Sequence, residues 1–250
     1  MSWVEKQRTV DGMVLITKNV LTSKFRDAVL NRLEVPAILH CTCTGMGGTV
    51  MEEMVPAAAD QIDGLWDIIR NGFPSERCVI RIDPIITPKL AENVIQIAGY
   101  RIPAAVLKNI RWRVSLVDIY PHVRERCKKA AEFFEHGIPG IYPPSFLTEI
   151  RDSTGFQLSR EKKDDIRKML EKYPEYTFET CAEPTFNGEN IRHVGCISVE
   201  DLRRMGLKES VGSKVNPQNR NGCLCLSCKT ELLTRKNRCP HRCLYCYWRD

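Results

Sequence analysis

No apolar run among the 250 residues approaches the roughly 18 to 20 needed to cross a bilayer, and the stretch 1–8 is polar and lacks an apolar signal core. Those absences set aside a membrane-spanning chain and an exported one, so a cytosolic protein without a membrane partner is expected. No sign of charge dominates either: 37 basic against 31 acidic residues leave a formal net charge of +6. Such a mild excess permits a polyanionic partner without indicating one. Nothing repeats at a fixed solenoid period. What is abundant is cysteine, with twelve in the chain and half of them after residue 222. In a chain of this size without an export signal, thiols at that density point to metal or redox chemistry and away from a disulfide framework.

With 43% hydrophobic residues, the chain is long enough for one sizeable buried core. Short β-branched runs alternate with segments of helical period, the pattern of repeated βα units and a mainly parallel sheet. Strands are predicted over 13–17, 37–42, 78–82, 113–118 and 176–181, and helices over 23–33, 58–71, 88–97, 123–136 and 159–172. Several of the helices open on Ser, Thr or Pro, which suit a first turn. The Gly- and Pro-dense stretch GIPGIYPP, 137–144, reads as a connection. The expected architecture is α/β, a partial βα TIM-like barrel over 1–140, its completion and appended helices over 141–211, and an irregular Cys-rich tail over 212–250. Periodicity vanishes in that tail, so ordering it requires something besides a hydrophobic core, and a metal centre can supply that.

Ligands of parallel βα folds collect at the carboxyl ends of the strands. Polar residues recur at those ends: Lys18 and Asn19 after the first strand, Thr42 and Thr44 after the second, Arg81 and Asp83 at the third, and Ser115 and Asp118 at the fourth. Each alone is as well read as a cap or turn residue, and Asp83 before a proline suits a turn. Their recurrence on one rim carries more weight.

The strongest signal is Cys239-Pro-His-Arg-Cys243-Leu-Tyr-Cys246, a C-x3-C-x2-C run that brings three thiolates within one loop's reach of a single centre. Thiolates are the soft ligands of iron–sulfur clusters, zinc and copper(I). Structural zinc usually closes with four ligands in paired spacings, so three clustered cysteines fit it less well, although His241 or an upstream cysteine can complete it.

This run, with Tyr245 before its last cysteine, resembles the radical-S-adenosylmethionine motif. The resemblance implies a 4Fe-4S cluster on three cysteines, an open iron that binds S-adenosylmethionine, reductive cleavage of that cofactor, and an electron donor such as flavodoxin or ferredoxin. More closely, the chain is similar to a bacterial family, domain of unknown function family 1848. Its members end in C-P-H-x-C-x-Y-C-Y and share the strand-end pieces seen here as LITKN at 15–19, RIDP at 81–84 and SLVDIY at 115–120. The segments around Cys181, Cys196 and Cys223 to Cys225 are similar too. The resemblance supplies a chemistry and no substrate, which is expected to be a small molecule or nucleic acid. Radical-S-adenosylmethionine enzymes usually carry the motif near the amino terminus, so its place here implies a permuted arrangement. The family's opening βα unit is also expected to be missing.

Cys181, Cys196, Cys223 and Cys225, with Cys228 in reserve, are candidates for a second iron–sulfur cluster, a zinc site, or merely buried thiols. Cys41, Cys43, Cys78 and Cys127 lie in strand or helix patterns and read as small core residues. The basic residues Arg235, Lys236, Arg238, Arg242 and Arg249 either form a phosphate-binding patch beside Tyr245, Tyr247 and Trp248 or offset the charge of an anionic cluster. The tail is expected to fold over the strand ends, with Arg81, Asp83, Asp118 and Glu183 binding S-adenosylmethionine or substrate, and Lys18, Asn19, Thr42 and Tyr245 as further cofactor contacts. The alternatives are a non-catalytic module stapled by iron–sulfur or zinc that binds nucleic acid, and a DNA-repair lyase resembling spore photoproduct lyase.

Overall fold

The computed structural model describes residues 7–137, 142–208, 222–227, 229–231 and 239–249. Six strands, β1 (Met13–Thr17), β2 (Ala37–Thr42), β3 (Cys78–Ile85), β4 (Arg111–Leu116), β5 (Phe178–Thr180) and β6 (Ile191–His193), form one sheet in sequential order. Every pairing is parallel. The helices are α1 (Ser23–Asn31), α2 (Ala58–Arg70), α3 (Pro88–Arg101), α4 (Ala104–Leu107), α5 (Pro121–Gly137), α6 (Ser145–Asp152), α7 (Arg160–Glu171) and α8 (Val199–Arg204). First-turn donors are met as the sequence suggests. The Thr22 hydroxyl accepts from the Phe25 N–H before α1, that of Ser159 from Lys162 before α7, and Pro88 opens α3.

Sequential parallel order places successive crossovers on one face, given their shared right hand. The side-chain alternation agrees. Cys41, Ile80, Trp112, Phe178 and Ile191 stand side by side in one row, and all five belong to the large core that α1 to α7 cover. Trp112 is wedged between Tyr176 and Phe178, with ring centroids 5.2 and 5.9 Å away.

One residue along each strand, the opposite face carries another row: Thr42, Arg81, Arg113, Glu179 and Arg192. That face is apolar only at its far end, where Ile38 and Val79 meet Leu202 and Met205 of α8 and Leu226 of the tail in a second, smaller core. Nearer the strand ends it is charged and half-open. The sheet therefore separates a closed apolar side from a polar side.

The predicted strands correspond to β1 and β2 at the same bounds, while β3 runs on through Asp83 and Pro84, whose peptide bond is cis. The fourth strand starts two residues earlier than expected. Arg111 and Arg113 look like a polar margin, yet they are buried, because Glu179 and Asp201 neutralise them from β5 and α8. The three-residue β6 and helix α4 were not anticipated, being too short to show a period, while α6 and α8 lie within 141–211, where appended helices were expected without bounds. Of the connection at 137–144, residues 138–141 lie outside the described residues. Cys41, Cys43, Cys78 and Cys127 are buried as expected, and burial holds their thiols well above the ordinary range, Cys43 and Cys127 at about 12.

Candidate functional site

Over the strand ends lies a cavity of about 2150 Å³, larger than the roughly 300–1,000 Å³ typical of one drug-sized ligand. Its wall includes Lys18, Arg81, Asp83, Ser115, Asp118 and Glu183 from the strand-end loops, and every candidate ligand thiol among the described residues: Cys181, Cys196, Cys223, Cys225, Cys239, Cys243 and Cys246. Cys228 lies outside the described residues.

The loops after β5 and β6 and the segment 222–227 bring three thiols together. The sulfurs of Cys181, Cys196 and Cys225 all lie within 4.8 Å of one another, a group able to hold a metal ion. Those of Cys181 and Cys196 are 2.9 Å apart, and the Cys196 N–H donates to the Cys225 sulfur at 3.2 Å. The coupling polarises the pair. Hydrogen bonds from Cys181 and Cys225, with Arg81 and Arg113 nearby, hold the Cys196 thiol far below its ordinary range, while the bond to Cys196 pushes Cys181 up. Three soft sulfurs this close together, the Cys196 thiol held low and those of Cys181 and Cys225 held high by the coupling, are donors suited to a soft cation.

Cys239, Cys243 and Cys246 form no such tight group: their sulfurs do not all fall within that radius. Burial pushes the Cys243 thiol up to about 11.

The tail carrying this run is docked by specific bonds. The Arg126 guanidinium of α5 donates to three of its carbonyls, Leu244 at 3.0 Å, Cys246 at 2.5 Å, and Arg249. The Leu244 N–H donates to the Met51 carbonyl at 2.9 Å, and the Tyr245 hydroxyl donates to Glu52. Tyr247 stacks on Tyr120 with centroids 5.6 Å apart. Of the basic residues in the run, Arg235, Lys236 and Arg238 lie outside the described residues, and Arg249 donates to the Arg242 carbonyl.

Glu52, which sequence reasoning missed, is the hub of this docking. Its buried carboxylate takes the Lys18 ammonium at 2.9 Å, the Thr44 hydroxyl at 2.6 Å, and Tyr245. Lys18 also donates to the Asp83 carbonyl at 3.2 Å and lies 5.2 Å from the Tyr245 ring centroid. The loop can turn back on itself here because a Cβ on Gly47 would overlap the Pro56 carbonyl.

Beside the hub, the Arg81 Nε donates to Asp83 at 2.7 Å, and the Ser115 hydroxyl donates to the other carboxylate oxygen. Burial alone would raise the Asp83 carboxyl, but Arg81 and the Ser115 bond hold it below its ordinary value. Arg81 Nη1 is buried without a hydrogen-bond partner among the described residues, while the guanidinium as a whole stands beside the Cys196 thiol. Deeper on the polar face, Arg111 and Arg113 pair with Glu179 and Asp201, and Arg113 donates to the Cys196 carbonyl. Fully buried His40 stands beside them, and burial followed by Arg113 and Arg81 keeps it neutral.

The remaining candidates are placed as follows. Glu183 is buried and pairs with Lys163 at 3.8 Å, while Asp118 makes a strand-like bridge to Gln157 at the cavity's edge. Asn19 folds into a local turn, accepting from the Leu21 N–H at 3.0 Å, and Thr42 is buried in the row beside Arg81; neither lines the cavity.

Fold and site together define a parallel α/β protein whose strand-end cavity carries a metal-capable thiol group. The chain belongs to the family described as Domain of unknown function (DUF1848), whose model matches residues 2–248. No match was found among curated proteins or solved structures. Among the described residues, no helix is long and apolar enough to cross a membrane.

Proposed function

We propose that the chain is a radical-S-adenosylmethionine-type iron–sulfur protein built on a partial βα barrel, acting on a substrate held in the strand-end cavity. The observation that carries this reading is the docked tail: Arg126, Glu52 and Met51 hold the C-x3-C-x2-C run against the cavity wall that also presents Arg81 and Asp83. The residues fit the group. Three soft thiols from one eight-residue run, all lining the cavity, are the donor set that suits a 4Fe-4S cluster on Cys239, Cys243 and Cys246. When bound, such a cluster supplies the electron for reductive cleavage of S-adenosylmethionine.

The chain's own residues do the rest. Arg81, fixed by Asp83, and Lys18 place two cations at the same wall, where they can face a carboxylate. Glu52, itself bonded to Tyr245, holds Lys18 in place on the tail side of the cavity.

Anaerobic iron and sulfide analysis, with electron paramagnetic resonance of the reduced protein, tests the reading. A four-iron signal that changes on adding S-adenosylmethionine is expected from the wild type and is lost in Cys243→Ala. A wild type without iron overturns it.

A further inference from the structure

We propose that Cys181, Cys196 and Cys225 hold one divalent ion of the zinc class, a site separate from the iron centre assigned to Cys239, Cys243 and Cys246. The inference goes beyond that assignment and does not depend on it. Zinc–sulfur bonds of about 2.3 Å in a tetrahedron set the ligand sulfurs about 3.8 Å apart. Three sulfurs within 4.8 Å of one another supply three corners of such a tetrahedron once Cys181 and Cys196, 2.9 Å apart, separate to that spacing, and a solvent molecule takes the fourth. A multi-iron cluster would spread them.

Independent features show that the backbone is shaped to bring these thiols together. Cys181 follows β5, Cys196 follows β6, and Cys225 belongs to 222–227, so three remote segments converge. Gly195 makes the convergence possible, because a Cβ there would overlap the Leu224 carbonyl and crowd the Cys225 backbone. Ala182, next to Cys181, takes the left-handed conformation at φ 57°, strain that a non-glycine residue bears only where its surroundings impose it. The Cys196 N–H donates to the Cys225 sulfur, and the Leu226 N–H donates to the Ile197 carbonyl at 3.1 Å, so the two loops are laced on both sides of the thiols. An N–H···S bond and nearby cations are the surroundings that suit a thiolate-rich ion. Arg113 holds the Cys196 carbonyl, and Arg81 stands close enough to offset the ligand charge.

Zinc has no redox chemistry, so the site joins β5 and β6 to the 222–227 segment and stiffens that wall of the cavity. A Cys181–Cys196 disulfide is the competing reading of their 2.9 Å contact, but both cysteines are free, at a separation well beyond the roughly 2.05 Å of an S–S bond.

The test is zinc and iron analysis of the full chain, purified anaerobically, as wild type, Cys196→Ser and Cys243→Ala. About one zinc per chain is expected in the wild type. Cys196→Ser should lose it and keep its iron, and Cys243→Ala should do the reverse. A wild type without zinc whose iron falls in Cys196→Ser overturns the proposal, as does a Cys181–Cys196 disulfide found by mass spectrometry after alkylation under native conditions. If Cys196→Ser does not fold, cobalt(II) exchanged into the wild type should show sulfur-to-cobalt charge transfer and tetrahedral d–d bands, and their absence is equally decisive. A wild type with zinc but no iron would sink the reading of the tail and leave this site standing.

Discussion

Glu52 shows how one side chain can decide whether the tail stays docked. A carboxylate buried to this degree is tolerable only when its oxygens are satisfied, and here Lys18, Thr44 and Tyr245 satisfy them. Glu52→Ala leaves the Lys18 ammonium stranded at the cavity wall, so a loss of about 3–5 kcal/mol in urea unfolding is expected. Exposed Glu53 next to it is the control, with Glu53→Ala changing stability by less than about 0.5 kcal/mol. Glu52 was not legible in the sequence because its partners lie 34, 8 and 193 residues away. The C-x3-C-x2-C run was, since its signal is contained in eight consecutive residues. Asp201 adds a pH dependence. Burial raises its carboxyl, but Arg113 and Arg111 outweigh that and hold it below the ordinary aspartate value. A carboxyl lowered by folding stabilises the protein above the unfolded value of about 3.9, and that contribution disappears as pH falls through the folded value. Melting temperature should therefore drop steeply in the wild type below about pH 4, and Asp201→Asn, already weaker at pH 7, should show a shallower acid limb. Parallel acid limbs in the two proteins would show that Asp201 is not the group responsible.

At the scale of elements, helix α5 and the tail meet through a single guanidinium. Arg126 satisfies three carbonyls of an irregular segment that has no ladder of its own. Arg126→Leu should keep α5 folded, because Val123, Cys127 and Ala131 anchor it in the main core, while amide hydrogen exchange across 244–249 accelerates. Unchanged exchange there would show that Glu52 and Met51 suffice to dock the tail. Gly195→Ala tests the other convergence: the added methyl should push 222–227 off the β6 loop and release the metal from Cys181, Cys196 and Cys225, with metal content as the readout. The elements themselves were legible in proportion to their length. β1, β2, α2 and α5 carry enough periodic residues to be read, whereas β6 is Ile-Arg-His and takes its strand character from pairing with β5. The displaced start of β4 has the same origin, since two arginines become interior residues only after Glu179 and Asp201 arrive from later in the chain.

For the molecule as a whole, the division of the sheet into an apolar and a polar side means that its two cysteine sets should fail differently. The main core draws on α1 to α7 and the helix-side row of the strands, and Leu244 and Tyr245 pack only at its margin. The second core is small, and Leu226, one of its five members, adjoins Cys225. Removing the ion held by Cys181, Cys196 and Cys225 should therefore loosen the second core, because the thiols fix the segment that delivers Leu226. Chelator treatment of the purified chain should accelerate hydrogen exchange in α8 and 222–226 and lower the melting temperature, with α2 and α3 as protected as before. Cys243→Ala should instead raise exchange near the tail and leave both cores intact. If chelation opens α2 and α3 together with α8, the two cores unfold as one unit, and the metal-bound wall is part of a single cooperative structure and not a separately stapled layer.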